Sequence, residues 1–390
     1  MMKANWETKS IEEVTARLID YRGKTPPKTD SGVRLITAKV VKGGRIIEEK
    51  PEFIAAEFYD AWMRRGLPKQ WDLLITTEAP LGEVALLRAP ERIALAQRII
   101  LLRGNPDIID QRYYFYALQS EFTQGELNGR GTGTTVLGIK QSELRKVRLQ
   151  LPDLPTQRKI AGILSAYDDL IENNLRRIKI LEEMAQSLYR EWFVHFRFPG
   201  HESVRCVDSD LGQIPKGWEV RTIEELVKRI SVGKKYDQKT ANPTGTVPIF
   251  DQGKTGVIGY HDDQPGVEAS ETDPVIVFAN HTCYQRLIHY PFSAIQNVLP
   301  FHPSPLLPRN IYWLHYAMNG RLVLNDYKGH WPEFAALLVI VPPAEVCQRF
   351  GAFVAPLSLE ILKLEQAVEL LRRTRDMLLP KLLSSNSSDV

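Results

Sequence analysis

The sequence predicts a mixed α/β (α+β) protein with an internal pseudo-twofold repeat: two similar globular domains, separated by two long helices packed as an antiparallel coiled coil. Three observations predict it. "WETKSIEEVTARL" at 6–18 returns as "WEVRTIEELVKRI" at 218–230, so that Trp6, Glu7, Ile11, Glu12, Glu13 and Arg17 recur as Trp218, Glu219, Ile223, Glu224, Glu225 and Arg229. "LQLPDLPTQRKIAGIL" at 149–164 lines up with "VIVPPAEVCQRFGAFV" at 339–354. The third observation is a heptad stripe that follows each of these later segments in the same register.

The first domain is expected over 1–151. Its entry is strand-like and leads into a short helix, with Ser10 at the cap and Glu13 three residues on, the spacing of a capping box. "GVRLITAKVV" (32–41), "WDLLITTEAPLGEVALLRA" (71–89) and "AQRIILLR" (96–103) read as strands separated by turns. A central helix follows over 152–199. Its seam alternates Ile160, Leu164, Tyr167, Ile171, Asn174, Ile178, Leu181, Ala185 and Leu188 at spacings of four and three.

"FRFPGHESVRCVDSDLGQIPKGWE" (196–219) is rich in Gly, Pro and Ser and leads into the second domain, expected over 200–342. There Thr222 and Glu225 repeat the capping box, and "GTVPIFDQGKTGVIGY", "DPVIVFAN" and "AIQNVLPF" occupy the places of the first domain's strands. The last helix is expected over 343–384, with a flexible tail at 385–390. Its seam is Phe350, Val354, Leu357, Ile361, Leu364, Val368, Leu371 and Leu378, with Arg375 standing where the first helix has Ala185. Each seam is the natural cover for the other. Antiparallel pairing brings Asn174 near Leu364, which cannot satisfy an amide, so water or a docked subunit is expected there.

Composition bounds the class. The 390 residues are 43% hydrophobic and 25% charged, in the range of globular chains. No apolar run reaches the roughly 18 residues a membrane helix needs. The start, "MMKANWETKS", has no apolar signal core, and a cytoplasmic location is expected. Cys206, Cys283 and Cys347 show no metal-ligand or disulfide spacing. Net charge is only +3. Residues 1–150 carry 24 Lys+Arg against 19 Asp+Glu, and residues 201–342 carry 13 against 15, so any nucleic-acid face in the second domain is local.

Four stretches make the chain resemble the specificity subunits of type I restriction-modification systems. They are "LPDLPTQRKIAGILSAYDDLIENN", "LEEMAQSLYREWFVHF", "LGQIPKGWEVRTIEEL" and the helix at about 343–383. The resemblance implies that each globular domain is a target-recognition domain reading one half of a bipartite double-stranded DNA target. It also implies that the paired helices hold the two readers a fixed distance apart. Two methyltransferase subunits would dock and modify adenines, and ATP-driven restriction (motor) subunits would join them. The chain itself would be non-catalytic and bind no cofactor, with S-adenosylmethionine, ATP and Mg used by its partners. A helix over 156–190 would be roughly 50 Å long, the length of about 15 base pairs.

Basic residues among Gly and Thr in loops suit phosphate contact and close backbone approach. On that ground the candidates in the first domain are Lys24, Lys28, Arg34, Lys39, Lys42, Arg130 and Thr132. In the second they are Lys234, Lys235, Gln252, Lys254, Gln285 and Arg286, where Gln252 and Gln285 are suited to adenine edges and Arg286 to guanine. The aromatic run Trp192, Phe193, Phe196 and Phe198 reads as core, with partner-subunit docking by Trp192, Phe193 and Phe196 as the alternative. "GRGTGTT" (129–135) lacks the Lys-Ser/Thr ending of a P-loop. The histidine spacings match no metal-ligand pattern, so no metal is expected. An adenine methyltransferase's Asn-Pro-Pro-aromatic motif and Gly-rich cofactor loop are missing, and after the Pro-Asp of "NPDIID" (105–110) no nuclease Glu-X-Lys follows at a sensible distance. A coiled-coil adaptor that reads no DNA is the competing expectation.

Overall fold

The computed structural model describes residues 6–21, 25–47, 50–88, 92–133, 136–253, 256–322 and 329–384. The chain forms two compact units, Met1–Glu172 with Val368–Val390, and Asn173–Ala367. Each long helix therefore contributes one segment to each unit.

In the first unit, strand β1 (Glu7–Ser10) leads into helix α1 (Ile11–Val14) through a complete capping box. The Ser10 hydroxyl accepts from the Glu13 amide at 3.3 Å, and the Glu13 carboxylate accepts from the Ser10 amide at 2.7 Å. The box stops β1 and turns the chain so that Ile11 and Val14 enter the core. Strand β2 (Thr15–Asp20) then joins a sheet with three later strands: β5 (Leu73–Thr77), β6 (Leu81–Leu86) and β8 (Ile99–Gly104). Their order is β2-β8-β5-β6, antiparallel throughout. β5 and most of β8 are buried on both faces, which is why "LLITT" and "IILL" are unbroken apolar or small-polar runs without alternation. A second, three-stranded sheet sets β3 (Val33–Ile36) between antiparallel β4 (Glu52–Ile54) and parallel β7 (Ile93–Leu95). Helices α2 (Gln111–Gln119) and α3 (Glu121–Arg130) cover the first sheet and bury Tyr113, Tyr114 and Tyr116. β9 (Arg148–Leu151) closes the unit by pairing with β1.

Helix α4 (Leu154–Tyr189) begins as soon as β9 ends. Asp153 caps it by accepting from the Thr156 amide at 3.0 Å, and Pro155 lies in the first turn, where its missing N–H costs nothing. Its last turn opens into a π turn over Arg190–Val194. Within the first unit α4 buries Ile160, Leu164 and Ile171, with Tyr167 half-buried. Residues 368–382 of the last helix, and 383–384 just after it, belong to the same unit. Val368 is buried, Leu371 and Leu378 are half-buried, and Leu382 and Leu383 complete the core. Arg375 is the one charged residue in that stripe. It meets Asp168 at 2.6 Å, with the two side chains 19% and 11% exposed, and the Tyr116 hydroxyl donates to the other Asp168 oxygen at 2.6 Å. A charge can sit beside the seam because it is matched on both counts.

The second unit repeats the plan. Its elements are β10 (Glu219–Thr222), α5 (Ile223–Leu226), β11 (Val227–Arg229), β12 (Val247–Phe250), β13 (Val257–His261), β14 (Val275–Ala279), β15 (Gln285–Ile288), β16 (Ser293–Ala294), β17 (Val298–Pro303), α6 (Ile311–Met318), β18 (Leu338–Val341) and α7 (Ala344–Leu382). Thr222 and Glu225 form the same capping box, and β10 pairs with β18 as β1 does with β9. The sheets β11-β17-β14-β15 and β13-β12-β16 match the first unit strand for strand, including the one parallel pair in each.

Here the seam comprises Ile178, Ala185, Phe350, Val354 and Leu364, all buried, with Leu181, Leu188, Leu357 and Ile361 half-buried at its flanks. Asn174 is also half-buried, and its amide keeps access to solvent. Beyond the heptads the stripe widens into an aromatic core. Phe350 is fully buried, 5.1 Å from Phe193 ring to ring, and Phe193 lies 5.9 Å from Trp218. Among the described residues no helix is long and apolar enough to cross a membrane. The tail at 385–390 lies outside the described residues.

Phe350→Ala is expected to lower the stability of the second unit by about 4 kcal/mol, because it empties a closed aromatic cluster. Denaturant titration followed by tryptophan fluorescence measures this, since Trp192, Trp218 and Trp313 surround the site.

Candidate nucleic-acid interface

In the first unit three chain segments meet at one end of the buried sheet. The Thr77 amide, where β5 ends, donates to the Arg98 carbonyl in the turn before β8, at 2.9 Å. The Thr77 carbonyl accepts from the Ile139 amide, also at 2.9 Å. Thr132 and Gly138 exchange backbone hydrogen bonds of 2.8 and 3.0 Å, which fixes the two residues side by side. These segments line a cleft of about 430 Å³ whose side chains include Thr77, Glu78, Gln97, Arg98, Thr132 and Lys140. Arg98 lies 3.5 Å from Glu78, and both are about half exposed. The lining is mostly polar, with donors and acceptors of both charges on a frame fixed by backbone bonds. Such a cleft can hydrogen-bond a base edge or a phosphate oxygen.

In the second unit the loop after β12 and the loop after β14 hold one another. Gln252 accepts from the His281 amide at 2.8 Å through its side chain, and from the Thr282 hydroxyl at 2.5 Å through its backbone carbonyl. Arg286 donates to the Gly253 carbonyl and lies 4.8 Å over the exposed Tyr284 ring.

The candidates from the sequence scatter across these surfaces. Thr132 lines the cleft. Lys39, in the short helical turn Ala38–Val40, and Lys42, on the small hairpin that follows, are exposed, and the hairpin is fixed to β6 by the Gly43 amide donating to Glu83 at 2.8 Å. Lys28 pairs with Glu52 at 2.8 Å, and Arg34 reaches the Ile47 carbonyl at 3.4 Å. Lys234 pairs with Asp263 at 2.8 Å, while Lys235 is exposed. Lys24 and Lys254 lie outside the described residues.

One expectation needs correction, and for the aromatic run the core reading prevails over the docking alternative. Gln285 is not a surface reader: it is 7% exposed, and its amide nitrogen donates to the His315 carbonyl at 2.9 Å and contacts the His315 ring nitrogen at 3.0 Å. Trp192 and Phe193 are 6% and 5% exposed and belong to the second unit's core, so neither presents a docking surface. Phe196 is half-buried against Trp218, 5.4 Å away. Gln97, Arg98 and Lys140 were not singled out from the sequence. For Gln97 and Arg98 the only signal there is a polar pair between the apolar runs "IALA" and "IILL", and Lys140 has none.

The histidines have local partners as well. His289 contacts the Ser358 hydroxyl at 3.3 Å, His330 contacts Glu333 at 3.2 Å, and burial pushes the His315 pKa down to about 4. Among the described residues no three His, Cys, Asp or Glu side chains gather as a metal site would require.

Arg130 is turned from the cleft toward Glu126 at 3.3 Å and Glu143 at 3.5 Å. Hydrogen bonding from Arg148 first, and then from Arg130, holds the Glu126 carboxyl down to about 2. A depressed folded pKa contributes stability above the ordinary carboxylate range, and that stability is lost as pH falls toward the folded value. Glu126→Gln is therefore expected to flatten the pH dependence of stability between about pH 4.5 and 2, read by thermal melts across that window.

Comparisons with known proteins agree with this architecture. Residues 4–183 match the type I restriction modification DNA specificity domain. The chain is 26% identical over 341 residues to the type I restriction enzyme MjaIX specificity subunit of Methanocaldococcus jannaschii, covering 80% of this chain and 76% of that one. It is 30% identical over 184 residues to the putative MjaX specificity subunit of the same organism, covering 46% of this chain and 42% of that one. Among solved structures, the type I restriction-modification S subunit from M. genitalium superposes with a TM-score of 0.60 at 18% identity, covering 98% of this chain and 96% of that one, which is a likeness of fold. Residues 4–183 are thus similar to a type I restriction modification DNA specificity domain, and the relative matched over most of this chain is itself named a type I specificity subunit.

Proposed function

We propose that this chain is the non-catalytic DNA-reading subunit of a type I restriction-modification complex, each unit reading one half of a bipartite double-stranded target. The observation that carries the reading is the duplication itself. One chain holds two copies of a domain with the same strand plan, tied into continuous helices, and the copies carry different surface side chains. A homodimer would read a palindrome, whereas unlike copies in one chain read two unlike half-sites. In this reading two methyltransferase subunits dock on the chain, and restriction (motor) subunits complete the assembly. S-adenosylmethionine, ATP and Mg belong to those partners, and the complex works in the cytoplasm, where its DNA is. The length of the helix pair then sets the number of base pairs between the half-sites.

Methylome sequencing of a host that expresses this chain with its methyltransferase subunit tests the proposal. A single split motif with a fixed spacer is expected. Methylation without a split motif would leave the coiled-coil adaptor as the better description. In the purified complex, Lys140→Ala is expected to weaken binding to all targets alike and to reduce the slope of log affinity against log salt by about 0.9, as one lost phosphate contact should. An unchanged slope would remove Lys140 from the interface.

A further inference from the structure

The backbone that frames the first unit's cleft is present in both units. In the first unit the Thr77 amide donates to the Arg98 carbonyl at 2.9 Å, and the Ile139 amide to the Thr77 carbonyl at 2.9 Å. In the second, the Asn280 amide donates to the Asn297 carbonyl at 2.9 Å, and the His330 amide to the Asn280 carbonyl at 2.9 Å. A third bond fixes the register of the turn: Ala96 donates to the Ile36 carbonyl at 2.9 Å, and Ile295 to the Phe250 carbonyl at 3.0 Å. These bonds make Thr77 equivalent to Asn280, Arg98 to Asn297 and Ile139 to His330. By the same frame Glu78 corresponds to His281, and Lys140 to Trp331.

Between the fixed positions sits one residue per unit, Gln97 in the first and Gln296 in the second. Around them the chemistry has changed. The charged set Glu78, Arg98 and Lys140 is replaced by His281, Asn297 and Trp331, and only the glutamine is common. Gln97 is half-buried at the cleft wall and Gln296 is exposed. Neither side-chain amide makes a hydrogen bond among the described residues, unlike the amides of Gln111, Gln124 and Gln157, which hold loops and helices in place. A glutamine that does no internal bonding, on a turn whose geometry is fixed twice over, is positioned for a ligand with paired donor and acceptor groups.

We infer that Gln97 and Gln296 are equivalent specificity-determining residues, each hydrogen-bonding an adenine edge in its own half-site. This rests on the DNA-reading function proposed above. An amide offers one donor and one acceptor at the spacing of adenine N6 and N7, so it matches that edge in the major groove. Glu78 and Arg98, which the second unit replaces with His281 and Asn297, then account for the two half-sites differing at other positions.

The test is methylome sequencing of hosts carrying the complete complex with the wild-type chain, Gln97→Ala, Gln296→Ala or Gln97→Glu. In the wild type, each half-site is expected to contain a specified A·T pair. Gln97→Ala should lower discrimination at one such pair by about 10-fold, the loss of a bidentate contact, and leave the other half-site intact. Gln296→Ala should do the same in the opposite half. Gln97→Glu keeps the side chain's size but only accepts hydrogen bonds, so preference at the same position should move toward cytosine. A wild-type split motif left unchanged by all three substitutions would overturn the inference while leaving the DNA-reading function in place. So would loss in both halves from either alanine variant. A wild type with no split motif would instead sink the underlying function.

Discussion

The structure depends on the mutual covering of two apolar helix stripes. A helix the length of α4 is roughly 54 Å long, and its seam cannot stay exposed in water. The only matching stripe lies almost two hundred residues later in the chain, in α7. Pairing them antiparallel has a consequence for each unit. The first unit's core is finished by Leu382 and Leu383 from the end of the sequence. The second is finished by Ala185, Tyr189, Trp192 and Phe193, which precede its first strand. Neither half of the sequence contains all of its own core, so the duplication is held together as one molecule.

Given that closure, the two units can share a scaffold and diverge at their loops. Capping boxes fix the entries, buried strands form the sheets, and the same backbone bonds frame the loop ends. None of these features depends on which side chains the loops carry. Glu78, Arg98 and Lys140 can therefore stand where the other copy has His281, Asn297 and Trp331 without disturbing the frame. The repeated frame carries the stability, and the side chains that are not repeated are what make the two units differ.

What was legible in the sequence was local or periodic. Ser10 with Glu13, and Thr222 with Glu225, announce their helices because a capping box spans only four residues. The heptads announce the seam because a helix brings every third and fourth residue to one face. What was not legible depends on residues far apart meeting. Gln285 looks like a surface amide until β15 turns it inward onto His315, thirty residues away. For Trp192 and Phe193 the docking alternative stays open until Phe350 is found against them. The cleft is assembled from segments near 77, 97 and 139, and no motif marks its members. Gln97 acquires meaning only once the hydrogen-bond frame shows Gln296 in the same place.

The central claim is that the paired helices measure the distance between the half-sites. One heptad inserted into α4 after Glu172, with a matching heptad in α7 before Val368, keeps the seam in register and adds about 10.5 Å of helix. The measurement is the motif that the complex methylates with this chain in place. Both half-site sequences should persist, with the spacer between them lengthened by about 3 base pairs. An active complex that keeps the original spacer would contradict the account.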